Sequence, residues 1–163
     1  MALEDVNSLG KVEFVARLGG VFEHSLWIAE RAWHRRPFHS VEELHRAMLD
    51  AVGSDEEKLK LVRAHPELAC GDALTLDSTS EQGRLGFNRL SRIEREEMDR
   101  LNRSYRDKFG FPCIVALRLH QDRASVMTEM ARRLQRKPDA ELRAAMEQIG
   151  HITRGRLEKI LNG

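Results

Sequence analysis

Apolar residues in this chain return every three to four positions and almost never every two. That recurrence matches the turn of an α-helix and leaves no alternating segment long enough to build a sheet. In 11–18, KVEFVARL, the apolar positions are Val12, Val15, Ala16 and Leu18, and the glycines at 19 and 20 end the run. A second run, 24–34, places Leu26, Ala29 and Trp33 on one side. Pro37 then biases Arg36 away from helix. Ser40 stands three residues before Glu43, a capping-box pattern, ahead of the stripe Leu44, Ala47, Met48 and Ala51. Gly53 suits a stop, and Ser54 or Asp55 can cap the next helix, through Ala64.

Further along, Ser78 is expected to open a helix reaching about Leu90. Ser91, with Glu94 three residues on, caps another whose inner face carries Met98, Leu101 and Tyr105. Helices are also expected from about Arg123 to Arg136 and from near Asp139 almost to the end. One stretch breaks the pattern: KFGFPCIVALRLHQ, 108–121, is apolar and holds Gly110 and Pro112. A lone strand has nothing to pair with, so this reads as a buried extended segment or a short helical turn. The sum is an all-α, single-domain bundle of about eight helices with short loops, spanning 1–163.

Bulk properties narrow the function. A chain of 163 residues suits one domain and buries roughly 70% of its unfolded surface. Lys and Arg total 27 against 26 for Asp and Glu, so no general pull toward nucleic acid or an anionic membrane exists. The arginines at 84, 89, 92, 95, 100, 103 and 106 interleave with Glu94, Glu96, Glu97 and Asp99, as on a solvated, ion-paired helix face. Cys70 and Cys113 form no disulfide framework and read as reduced, in a cytoplasmic protein. The N-terminus has no secretory pattern, and no apolar run is long enough to span a bilayer.

Seven histidines invite a metal, but none forms His-Glu-x-x-His and no Cys-x-x-Cys exists. No Gly-x-Ser-x-Gly elbow or phosphate loop is present. Cys113 lies beside Ile114 and Val115, whose apolar surroundings raise a thiol pKa. Three features carry chemistry. His65 precedes Pro66, which pushes it out of the helical conformation, and it lies near the negative end of its helix. An imidazole so placed suits general acid–base work, although a helix-end histidine in solvent gives the same pattern. Ser78, Glu81 and Gln82 share a helix face and could hold a polar heterocycle, or Ser78 and Glu81 could form a capping box. Arg156 falls on the apolar stripe of the last helix with Leu142, Met146, Ile149, Thr153 and Ile160, while Arg154 falls on the polar side. A guanidinium on that stripe must snorkel out or meet an anion, either a substrate carboxylate or a buried Glu.

In order, GGVFEHSLWIAERAW (19–33), AHPEL (64–68), SxxEQ (78–82), LNxxYxxKFGFPCI (101–114) and IxxxRL (152–157) resemble the 2-oxo-4-hydroxy-4-carboxy-5-ureidoimidazoline (OHCU) decarboxylase family. The resemblance covers nearly the whole chain. It implies an all-α homodimer that needs no metal and no organic cofactor and converts OHCU to (S)-allantoin in urate breakdown. It implies His65 as the acid–base residue with Glu81 as its polar partner. Ser78 and Gln82 would hold the ring or ureido group, and Pro66 would touch the substrate. Arg156 would bind an anionic or carbonyl oxygen. Cys113, Ile114, Val115, Ala116 and Leu117 would line the pocket, partly through backbone groups that a non-helical segment leaves available. Two alternatives stand beside it: a helical protein-interaction module, and another cofactor-free lyase or hydrolase acting on a ureido compound.

Overall fold

The computed structural model describes residues 1–69 and 74–162. Cys70 lies outside the described residues. Among the described residues there are nine α-helices, two short 3-10 turns and no strand. The expected all-α class holds, with one helix more than the pattern suggested.

The chain divides into two compact units, residues 1–64 with 150–162, and the described part of 65–149. The first holds α1 (Leu3–Ser8), α2 (Lys11–Leu18), α3 (Leu26–Trp33), α4 (Val41–Asp50), α5 (Asp55–Ala64) and the last half of α9 (Pro138–Asn162). Helix α3 packs against both α2 and α4. The inner face of α2 is Phe14 and Leu18, both fully buried, while Val12 stands 83% exposed. Apolar character at Val12 therefore did not mark the core side; Phe14, between the read positions, did. Gly19 begins a 3-10 turn and lets Leu26 pack close, since an added Cβ would lie 2.6 Å from Leu26 Cδ2. Helix α1 is too short for periodicity to reveal. It is tied down by Asn7, whose Nδ2 donates to the Phe38 carbonyl and whose Oδ1 accepts from the Phe38 N–H, both at 2.7 Å.

The second unit holds α6 (Leu76–Arg84), α7 (Arg92–Phe109), α8 (Arg123–Arg133) and the first half of α9. Ser91 and Glu94 form the full capping box that starts α7, and Gly110, at φ +78°, closes it in the left-handed conformation. Ser40 caps α4 as expected, but Glu43 reaches the His39 N–H instead of completing the box. Helix α6 starts three residues earlier than a Ser78 cap would place it, because Thr75 is its cap, and it ends at Arg84 instead of near Leu90. Helix α7 packs on α8, with Met98, Leu101 and Tyr105 buried on its inner face. Burial on this scale drives folding at roughly 25 cal/mol per Å² of apolar surface.

Candidate functional site

Helix α5 stops at Ala64, and the next residue is buried: His65 is only 7% exposed. The solvent-exposed helix-end reading is therefore excluded. The backbone after it is held by side chains instead of by a helix. Asn102 Nδ2 donates to the Leu68 carbonyl at 2.8 Å. The Ala69 N–H donates to Gln82 Oε1 at 3.0 Å, and Arg95 Nη1 to the Ala69 carbonyl at 3.4 Å. Arg106 pairs with Glu67. Ala69 sits at φ +54°, a conformation that alanine adopts only when its surroundings impose it. His65 and Pro66 thus lead a segment whose course is set by α6 and α7.

Ser78 and Gln82 lie one turn apart on α6, both buried, while Glu81 beside them is half-buried. The Ser78 N–H donates to Thr75 Oγ1, so Ser78 lies inside the helix. The Ser-x-x-Glu spacing is then not a capping box, and Glu81 belongs to the helix body. Gln82 joins this face to the His65 segment through Ala69, which leaves its amide NH2 end as two further donors.

Of the apolar break expected at 108–121, the first two residues end α7, 110–116 is irregular backbone, and a 3-10 turn, Leu117–Leu119, follows. Cys113, Ile114, Val115, Ala116 and Leu117 are all buried. Burial pushes the Cys113 thiol up to about 12, against the partial relief of nearby Arg133, so it is no thiolate nucleophile near neutral pH. Three side chains take backbone groups of this segment. Arg133 Nη1 donates to the Ile114 carbonyl, and the Ala116 N–H donates to Gln148 Oε1 at 2.8 Å. Arg84 Nη2 donates to the Leu117 carbonyl and, at 2.9 Å, to that of His120. Helix α6 therefore holds both the His65 segment, through Gln82, and the 113–117 segment, through Arg84.

Arg133 was not visible in the sequence. It is 1% exposed, and its Nε donates to Glu141 Oε1 at 2.8 Å. Its Nη2 meets the Tyr105 hydroxyl at 3.4 Å, and that hydroxyl donates to Glu141. Glu141 is fully buried, with Arg136 at 3.4 Å on its other oxygen. Spacing places Tyr105 on the apolar face of its helix; its ring does pack inward, and its hydroxyl adds a role that spacing does not encode. The one available signal was a Glu in the first turn of α9 facing inward rather than toward water.

Arg156 belongs to the first unit and is 3% exposed. Its Nη2 donates to Glu23 Oε1 at 2.9 Å and its Nη1 to the Val21 carbonyl at 3.2 Å. Of the two anions considered for it, the structure supplies the buried Glu. Arg154, as the polar-side contrast, is partly exposed and bridges Glu42 and Glu158, each at 2.7 Å. Among the described residues, no group of three or more His, Cys, Asp or Glu side chains gathers as a metal site. No helix of the described residues is long and apolar enough to cross a membrane.

A family model for OHCU decarboxylase matches residues 7–158. The chain belongs to the OHCU decarboxylase family. The 2-oxo-4-hydroxy-4-carboxy-5-ureidoimidazoline decarboxylase of Haloferax volcanii is 39% identical over 159 residues, 96% of this chain and 94% of that one. The uric acid degradation bifunctional protein of Bacillus sp. (strain TB-90) is 38% identical over 98% of this chain, which spans 32% of its length. A crystal structure of (S)-allantoin synthase superposes with a TM-score of 0.78 at 29% identity, covering 99% of this chain and 54% of that one. Within this OHCU decarboxylase-family chain, the motif residues at 65–68, 78–82 and 110–117 all fall in the second unit.

Proposed function

We propose that this protein is a carboxy-lyase that decarboxylates OHCU to (S)-allantoin in urate breakdown. The family match over residues 7–158 carries the reading. It runs across both units, which supports taking residues 1–163 as one functional domain. Family likeness also supports a cytoplasmic homodimer.

The chemistry asks little of the protein beyond placement. Loss of carbon dioxide leaves an electron pair on carbon, and the C=N and carbonyl groups of OHCU take it up. No Schiff base or metal is needed for that step. The protein must fix the carboxylate relative to the ring, keep water out and deliver one proton to one face; fixing geometry alone can lower a barrier by several kcal/mol. We assign the proton to His65, whose burial and pinned segment suit a single direction of delivery. Glu81 orients the ring or the imidazole. Ser78 and Gln82 hold the ring or ureido group, Pro66 contacts it, and Cys113 to Leu117 line the site with apolar side chains and backbone groups. Arg156, oriented by Glu23, recognises an anionic or carbonyl oxygen.

Freshly prepared OHCU decays unaided to racemic allantoin, so handedness and speed together report catalysis. With the protein present, the circular dichroism of (S)-allantoin should grow faster than total OHCU decays unaided. His65→Asn should fold and lose that signal. A His65→Asn protein with the unmodified rate and handedness would remove the assignment, and an unmodified protein without effect would remove the activity.

A further inference from the structure

We propose that Arg133, with Gln148, is a positioning residue that aims the main chain of Val115 at the substrate. This rests on the reading that the 113–117 segment lines the site.

A trans peptide is planar, and its C=O and N–H point in opposite directions. Arg133 holds the Ile114 carbonyl. The N–H in the same plane is that of Val115, so it points away from the Arg133 cluster. Gln148 holds the Ala116 N–H at 2.8 Å. The carbonyl in that plane is again that of Val115, so it points away from Gln148. Two long-range contacts thus orient both polar groups of one residue, and neither group has a hydrogen-bond partner among the described residues. Val115 is buried, and a buried amide without a partner is rare enough to call for one. A donor and an acceptor on one residue complement the N–H and C=O of a ureido group.

The composition of the cluster points the same way. A buried Arg–Glu pair is weak evidence of stabilisation, because apolar residues of the same volume often serve as well. What apolar residues cannot supply is a donor for a carbonyl in non-helical backbone. The guanidinium has donors for three partners, Glu141, the Tyr105 hydroxyl and the Ile114 carbonyl, and all three are in place. Arg133 touches no reacting atom in this scheme; it acts through the peptide it holds.

Arg133→Lys keeps a charge opposite Glu141 but loses the planar fork. Gln148→Met removes the acceptor for Ala116 from a partly exposed site on α9, a smaller disturbance than a change at the fully buried Arg133. Val126→Ala, at a fully buried position on α8, serves as the destabilised control. Kinetics on OHCU, product handedness and melting temperature are read for each. Both Arg133→Lys and Gln148→Met are expected to lower kcat/KM and the enantiomeric excess of allantoin, Arg133→Lys by on the order of 100-fold, the size of loss that a misplacement of about 1 Å brings. Val126→Ala is expected to melt earlier with kcat/KM unchanged. If Arg133→Lys does not fold, Gln148→Met decides alone. Wild-type kcat/KM and handedness in the folded variants would overturn the positioning role and leave the decarboxylase reading intact. An unmodified protein inert toward OHCU would overturn that reading and the positioning role with it.

Discussion

Two arginines in this chain are buried beside a glutamate, one in each unit, and they solve a similar problem with different degrees of commitment. Arg156 holds Glu23 and the Val21 carbonyl, where the chain leaves the 3-10 turn after α2. Arg133 holds Glu141, the Tyr105 hydroxyl and the Ile114 carbonyl, where the chain runs irregularly after α7. In each, a guanidinium supplies hydrogen bonds to backbone that no helix satisfies. The first pair links two segments. The second also ties in a tyrosine and a second arginine, Arg136. The comparison teaches that a buried charge in an all-α protein can be read as a clue to nearby irregular backbone.

The largest effect should separate the two clusters. Glu141→Leu leaves Arg133 buried without its counter-charge, a change that typically costs about 3–5 kcal/mol. Glu23→Leu does the same to Arg156, and denaturant melts should place it nearer the lower end, since Glu141→Leu also takes the acceptor from the buried Tyr105 hydroxyl. Adding Arg133→Met to Glu141→Leu should recover much of that stability without recovering turnover. Equal losses for the two Glu variants would erase the difference between the two clusters.

Next in size is the alkaline response of the second unit. Burial, then the hydrogen bond to Glu141, raises the Tyr105 phenol above its ordinary value. Between its unfolded pKa of about 10 and its raised folded one, the unfolded chain loses the proton and the native one keeps it, so stability falls as pH rises through that range. Tyr105 is the sole tyrosine in the sequence. Its phenolate absorbance should therefore appear together with unfolding, and Tyr105→Phe should flatten the alkaline slope. Phenolate formation in the folded protein would contradict the buried cluster.

The first unit should answer to acid instead. Burial, then the charge of Arg154, lowers His45 to about 4, and its Nε2 lies 2.8 Å from Thr153 Oγ1. Here the unfolded chain takes up a proton near pH 6.5 that the native chain refuses until about 4. Stability should fall as pH drops through that window and level off below it. His45→Gln should remove that slope while leaving the alkaline one. The smallest effect belongs to the exposed Arg154–Glu42 pair, where Glu42→Gln should leave the melting temperature within error.

These contrasts also mark where sequence reading stopped. The burial of Arg156 followed from its seven-residue offset from Ile149, since side chains two turns apart share a face. That its anion is Glu23 did not follow, because 133 positions separate them. Ser91 and Glu94 are a local pair, and their box formed as expected. Ser78 and Glu81 have the same spacing, yet Thr75 took the cap. His65 stands out because Pro66 follows it; that Asn102, Gln82 and Arg95 arrive from elsewhere to hold Leu68 and Ala69 just beyond it is not written beside it.

The order of turns and breaks, and hence the all-α class, was written in neighbouring residues, because helix periodicity and capping act over fewer than ten positions. The partners of the buried charges and the direction of each peptide from Ile114 to Leu117 were decided only by folding. Hydrogen bonds to irregular backbone are made by side chains from distant helices, and no spacing along the chain records which of them will arrive.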